Sequence, residues 1–254
     1  MQLSACIEWL FADEAEDIGD RIRLAKASDL DAVEFWFWSN KDLDAVAAAL
    51  SETGLPLSGF VAEPIIPLTD PANHAAFLEG LKRSVDVARR LGAKVLIAQA
   101  GNDLPGVSRT DQRAALTACL AASADILKGS GIRLGVEPLN TLIDHQGYFL
   151  PSTVEALDIV DDVARPEIGI VSDLYHSLVM GEVPEEVVAG RVDRIIHVHV
   201  ADHPGRNDPG TGNLDLKTPL AWLFANGYSG RVGLEYRPAM PTSQGIEAVR
   251  RRLG

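Results

Sequence analysis

The chain of 254 residues is 46% apolar and carries 36 acidic against 23 basic side chains, a net charge of −13. That balance opposes attraction to a nucleic-acid backbone or an anionic membrane surface. The length and apolar content are ample for the core of one large α/β domain spanning 1–254.

Eight short runs rich in β-branched and aromatic residues predict strands at 3–8 (LSACIE), 31–36 (DAVEFW), 56–62 (PLSGFVA), 94–99 (KVLIAQ), 132–137 (IRLGVE), 168–173 (IGIVSD), 194–200 (RIIHVHV) and 231–236 (RVGLEY). Amphipathic stretches lie between and after them, at 15–28, 41–53, 71–92, 109–130, 152–163, 184–190, 216–226 and 242–253. Pro or Gly punctuates the junctions, as at Gly54, Pro56, Gly92, Gly131, Pro166 and Gly227. Strand followed by helix, repeated, requires a parallel sheet, and eight units in this length predict a closed (β/α)8 TIM barrel. A doubly wound open sheet is the rival, but no GxGxxG follows an early strand, so no nucleotide cofactor is expected.

Cys6 and Cys119, the only cysteines, have no CxxC spacing and build neither a thiolate metal site nor a disulfide framework. The first residues lack the pattern of a signal peptide, and no run reaches the length of a membrane span. The expected setting is the reducing cytoplasm, with no nucleic-acid or membrane partner. A homo-oligomer is compatible with the sequence and not specified by it.

Chemistry in such barrels sits at the C-terminal ends of the strands. Four consecutive predicted strands end in Glu137, Asp173, His199 and Glu235. Each alone reads as a loop-facing charge or a helix cap; their agreement in position argues for a shared site. Three carboxylates and one imidazole suit Mn²⁺ or Mg²⁺, with zinc less favoured for want of thiolates. Converging acids would otherwise repel one another. His197 faces the same side of its strand as His199, one pleat deeper, and is expected to support the site or pack in the core. Glu34, on an otherwise apolar strand, is a buried acid that needs a partner. His176, on the loop after Asp173, and Asn140, beyond Glu137, are candidates to bond a substrate, the bland alternatives being caps of turns. Arg206 lies in a glycine-rich loop after His199, and its fork matches a carboxylate. Trp9, with Trp36 and Trp38, stands where it would wall a pocket or pack at the barrel end. For Asp144 and His145, in a loop, a structural role is expected.

The strings DAVEFWF at 31–37, GVEPLNTLIDHQGYFL at 135–150, SDLYHSLVMGE at 172–182, HVHVADHPGRNDPGTGNLD at 197–215 and GLEYRP at 233–238 resemble the xylose-isomerase-like (β/α)8 barrels, and among them the hydroxypyruvate isomerases most. The resemblance implies metal ligation by Glu137, Asp173, His199 and Glu235, and substrate contact by His176 and Arg206. It implies isomerisation of a small keto acid or sugar through an enediolate, with Glu137 and Glu235 as the proton-transferring pair. Two departures bear on the substrate. Characterised hydroxypyruvate isomerases tend to carry Gln where this chain has His199, whereas ketose 3-epimerases carry His. The epimerases carry an Arg and a second Glu where this chain has Thr141 and Ile143. A ketose 3-epimerase and a glycoside-lyase subunit needing a partner chain therefore stand as alternatives, and an apurinic endonuclease is opposed by six histidines and the acidic charge.

Overall fold

The computed structural model describes residues 1–253. Strands β1 (Leu3–Cys6), β2 (Ala32–Glu34), β3 (Gly59–Val61), β4 (Val95–Ala98), β5 (Arg133–Val136), β6 (Ile168–Asp173), β7 (Ile195–Val200) and β8 (Val232–Leu234) form one parallel sheet. Its order, β2-β1-β8-β7-β6-β5-β4-β3, returns on itself. Between β2 and β3 the ring narrows to a single parallel bridge, Val33 to Leu57, with the Ser58 N–H donating to the Val33 carbonyl at 2.8 Å. The result is the predicted TIM barrel, nearly closed.

Helices α1 (Ile18–Ala27), α2 (Leu43–Thr53), α3 (His74–Leu91), α4 (Arg109–Leu127), α5 (Thr153–Val163), α6 (Leu174–Val179), α7 (Pro184–Val187), α8 (Lys217–Ala225) and α9 (Thr242–Leu253) follow the strands. Their starts are written locally: Asp17, Asp42, Ser108 and Ser152 each cap a helix by accepting a backbone N–H of its first turn. Gly54 and Gly92 end α2 and α3 in the left-handed conformation.

Several elements differ from expectation. Three strands shrink to three residues, β2, β3 and β8, because only their middles find ladder partners. The stretch from 71 opens as a 3-10 turn before α3, and α7 ends at Val187 rather than 190. The segment after β6, expected as a loop, is helix α6. Its N-cap is Asp173, whose Oδ1 accepts the Tyr175 N–H at 2.8 Å and the His176 N–H at 3.3 Å.

The register aligns the site. Asp173 pairs with His199 across β6 and β7, and His199 pairs with Gly233 across β7 and β8, so the three share one layer. Val61, Ile97 and Val171 form a small apolar cluster of their own, separate from the main core. No described helix is long and apolar enough to cross a membrane.

Candidate active site

Glu137, Asp173, His199 and Glu235 are all buried, and each offers one donor atom to a group whose members lie within 4.8 Å of one another. His199 Nδ1 is 3.1 Å from Glu137 Oε1 and 3.5 Å from Glu235 Oε2. Capping α6 occupies one Asp173 oxygen and leaves Oδ2 to face the cluster, where Arg206 Nη2 approaches it at 3.3 Å. The same nitrogen donates to Glu235 Oε2 at 2.6 Å, and Trp36 Nε1 donates to Glu235 Oε1 at 2.6 Å.

So dense a set of acids perturbs its own titration. Burial foremost, with Glu235 and Asp173 adding to it and His199 opposing, pushes the Glu137 carboxyl up to about 7. Burial would lower His199, but Glu235, Glu34 and the bond to Glu137 raise it well above the ordinary imidazole range. The donor set therefore fits a divalent cation: buried, oxygen-rich, preorganised by a helix cap and an indole, and repulsive without positive charge.

Behind this group His197 Nε2 lies 2.9 Å from Glu34 Oε2, and His199 Nε2 lies 3.0 Å from Glu34 Oε1, the second contact off the ideal hydrogen-bond line. Burial raises the Glu34 carboxyl, yet the two imidazoles outweigh it and hold the group well below the carboxylate range. Gly233 is glycine for a local reason, since a Cβ there would lie 2.4 Å from Glu34 Oε1 and 2.5 Å from His199 Cδ2. Thus Glu34 and His197, expected as supporting residues, lie against His199 on the side away from the other carboxylates.

His176 is placed on α6 rather than a loop, with its ring against the cluster and Nε2 3.5 Å from Asp173 Oδ2. The Asn140 backbone N–H donates to its Nδ1 at 3.2 Å, which leaves the Nε2 position to carry the proton; Nε2 is buried with no hydrogen-bond partner. Burial, then the Arg206 charge, lowers its pKa well below the ordinary range, so the ring is neutral. Asn140 itself is fully buried and absent from the cavity wall. Its side-chain Nδ2 reaches Asp144 Oδ2 at 2.7 Å and His176 Nδ1 at 2.6 Å.

A cavity of about 360 Å³ opens over these groups, walled by Trp9, Trp36, Phe37, Val61, Ile65 and Ile97 among others. Trp9 packs edge-on against Trp36 with ring centres 4.9 Å apart, and the Arg206 guanidinium stands 5.2 Å above its ring. Trp38 instead turns outward to donate to Ser84 Oγ at 3.1 Å. Arg206 adopts a left-handed backbone (φ 54°), a conformation that costs a non-glycine residue about 1–3 kcal/mol and aims its side chain inward. Its loop is wound on Asp202, whose carboxylate accepts the N–H groups of Gly210, Gly212 and Leu214. Among the polar wall residues, Gln99 and Arg237 were not singled out in the sequence, and Asp144 and His145, expected to be structural, also line the cavity. Gln99 lies on a predicted strand end and could have been found by the strand-end rule; the other three sit on irregular loops that carry no such signal.

The sequence profile of the xylose isomerase-like TIM barrel matches residues 22–252. The chain belongs to that family. Among curated members, a human putative hydroxypyruvate isomerase is 30% identical over 98% of this chain and 94% of its own length. The hydroxypyruvate isomerase of Escherichia coli K12 is 28% identical over 97% of each chain. A solved structure described as an AP endonuclease, family 2, from Brucella melitensis superposes with a TM-score of 0.91 at 27% identity, covering 98% of both chains.

Proposed function

We propose that this isomerase interconverts hydroxypyruvate, or a related short 2-oxo acid, with its aldehyde isomer through an enediolate, as a single-domain barrel in the cytoplasm. The observation that carries the reading is the convergence of two glutamates, Glu137 and Glu235, with Asp173 and His199 in one buried group, three of whose members, Glu137, His199 and Glu235, line the cavity. Full-length similarity to hydroxypyruvate isomerases supports the substrate class.

Glu137, Asp173, His199 and Glu235 would hold a divalent cation, Mn²⁺ or Mg²⁺, which when bound supplies a Lewis acid for the substrate carbonyl and its neighbouring oxygen. The remaining work falls to the side chains. One glutamate removes the proton from the hydroxyl-bearing carbon and the other returns a proton to the adjacent carbon. Glu137 and Glu235 suit the exchange because both line the cavity and both stand within 3.5 Å of His199 Nδ1. His176 donates its Nε2 proton to a developing oxyanion as a neutral acid, held in that tautomer by Asn140. Arg206 takes the substrate carboxylate, exchanging part of its contact with Asp173 and Glu235 for it. Trp9 and Trp36 exclude water from the floor.

The 3-epimerase alternative is less well supported. Thr141 Oγ1 points to Met180 Sδ at 3.9 Å and Ile143 is 48% exposed, so neither brings the additional polar contacts such sugars receive there. Turnover of hydroxypyruvate in D2O tests the reading by NMR. Deuterium is expected at C2 of the tartronate semialdehyde formed; conversion without solvent label would point to direct transfer and sink the two-glutamate scheme.

A further inference from the structure

Arg237 follows Glu235 by two positions and takes no part in the chemistry described above. Its backbone N–H donates to the Arg206 carbonyl at 2.8 Å, and its own carbonyl accepts from Asn207 Nδ2 at 2.8 Å. These bonds fix the loop after β8 against the loop after β7. Its guanidinium lies 5.2 Å from the Trp9 ring centre, as does that of Arg206, and it lines the cavity. The two cations have different surroundings. Arg206 is 11% exposed and shared between Asp173 and Glu235. Arg237 is exposed at the rim, and among the described residues its side chain makes no hydrogen bond or ion pair and lies over the Trp9 ring.

An arginine exposed at the mouth of a cavity, with no carboxylate partner among the described residues, offers its fork to an anion arriving from solvent. The proton-transferring residues occupy the buried floor, so the reacting end of a substrate lies there and only its far end meets the rim. A volume of about 360 Å³ falls within the range, roughly 300–1,000 Å³, of pockets that enclose ligands much larger than a three-carbon acid. Phe37, Val61, Ile65 and Ile97 form an apolar stretch of wall, so a charged group at the far end of a substrate finds its cation at Arg237.

Resting on the isomerase reading of the floor, we propose that Arg237 selects substrates bearing a second anionic group, carboxylate or phosphate, at the terminus remote from the reacting carbons. Calorimetric titration of the Mn²⁺-loaded protein with three probes tests this: 2-oxoglutarate, its phosphonate isostere 2-oxo-4-phosphonobutanoate, and 2-oxopentanoate with its neutral terminus. At least one dianion should bind about tenfold tighter than 2-oxopentanoate, the gain expected of a charged contact. The preference should collapse in Arg237→Ala and return in part in Arg237→Lys. Which dianion benefits distinguishes carboxylate from phosphate. A ratio near one in the parent protein, or a preference that survives Arg237→Ala, overturns the proposal. Hydroxypyruvate turnover in the same preparation separates the two readings. Activity without dianion preference defeats the subsite alone. A preference lost in Arg237→Ala, with no isomerisation of hydroxypyruvate, defeats the isomerase reading and leaves the subsite assigned.

Discussion

Replacement of Glu34 probes the support beneath the cluster. The carboxylate is 4% exposed and stands 2.9 Å from His197 Nε2 and 3.0 Å from His199 Nε2. In Glu34→Ala the buried His197 ring N–H loses its acceptor, at about 1–3 kcal/mol, and His199 Nε2 loses a 3.0 Å contact with the same carboxylate. In a domain of this size each kcal/mol lowers Tm by about 2–4 °C, so the lost hydrogen bond alone gives a fall on the order of 2–12 °C. Glu34→Gln keeps the volume and one acceptor oxygen, but presents an amide N–H to the second imidazole. If that ring is His199, its Nε2 must become the acceptor and Nδ1 must carry the proton, on the side that faces Glu137 and Glu235. A protonated Nδ1 is no ligand, and loss of such an outer partner typically weakens metal binding about 10–100-fold. Calorimetry with Mn²⁺ and thermal unfolding in the absence of divalent ions measure both effects. Glu34→Gln binding Mn²⁺ like the parent, together with an unshifted Tm in Glu34→Ala, would refute the argument.

Glu235→Gln should lower kcat by about 10²–10⁴-fold while circular dichroism stays native, and appreciable remaining turnover would remove it from the proton-transferring pair. Gly233→Ala places a methyl 2.4 Å from Glu34 Oε1 and 2.5 Å from His199 Cδ2, so about 1–3 kcal/mol of stability should be lost in denaturant melts; a neutral result would mean the layer yields. Arg206→Ala should raise KM more for 2-oxo acids than for neutral ketoses, and equal effects would remove it as the carboxylate clamp. With divalent ions chelated, Glu137 is favoured in its neutral form, its pKa rising from an unfolded value near 4.3 to about 7. Its contribution to stability is complete below pH ~4.3 and is lost as pH climbs through 7. Thermal scans should show Tm falling over that window, with a shallower slope in Glu137→Gln; identical slopes would contradict the burial of that charge.

The barrel was legible because strand and helix periods alternate without interruption, and the strand-end rule found four converging donors without reference to contacts. What escaped had physical causes. Helix α6 is six residues long and is capped by Asp173, whose capping role is indistinguishable in sequence from a ligand role; here Oδ1 caps the helix and Oδ2 faces Arg206. The two partners of Asn140, namely His176 and Asp144, come from separate turns that only the folded chain brings together. The strain at Arg206 and the position of Arg237 depend on loop paths that no periodic pattern encodes. His145 was assigned to structure and stands in the cavity wall, with its ring centre 5.3 Å from that of His176.

The decisive assay follows hydroxypyruvate and tartronate semialdehyde together, with purified protein first stripped by chelator and then supplied with Mn²⁺ or Mg²⁺. Interconversion that returns with the metal, and that is lost in both Glu137→Gln and Glu235→Gln, is the predicted result. Absence of conversion under every metal condition, or an undiminished rate after chelation, would contradict a metal-assisted isomerase built on the four buried donors.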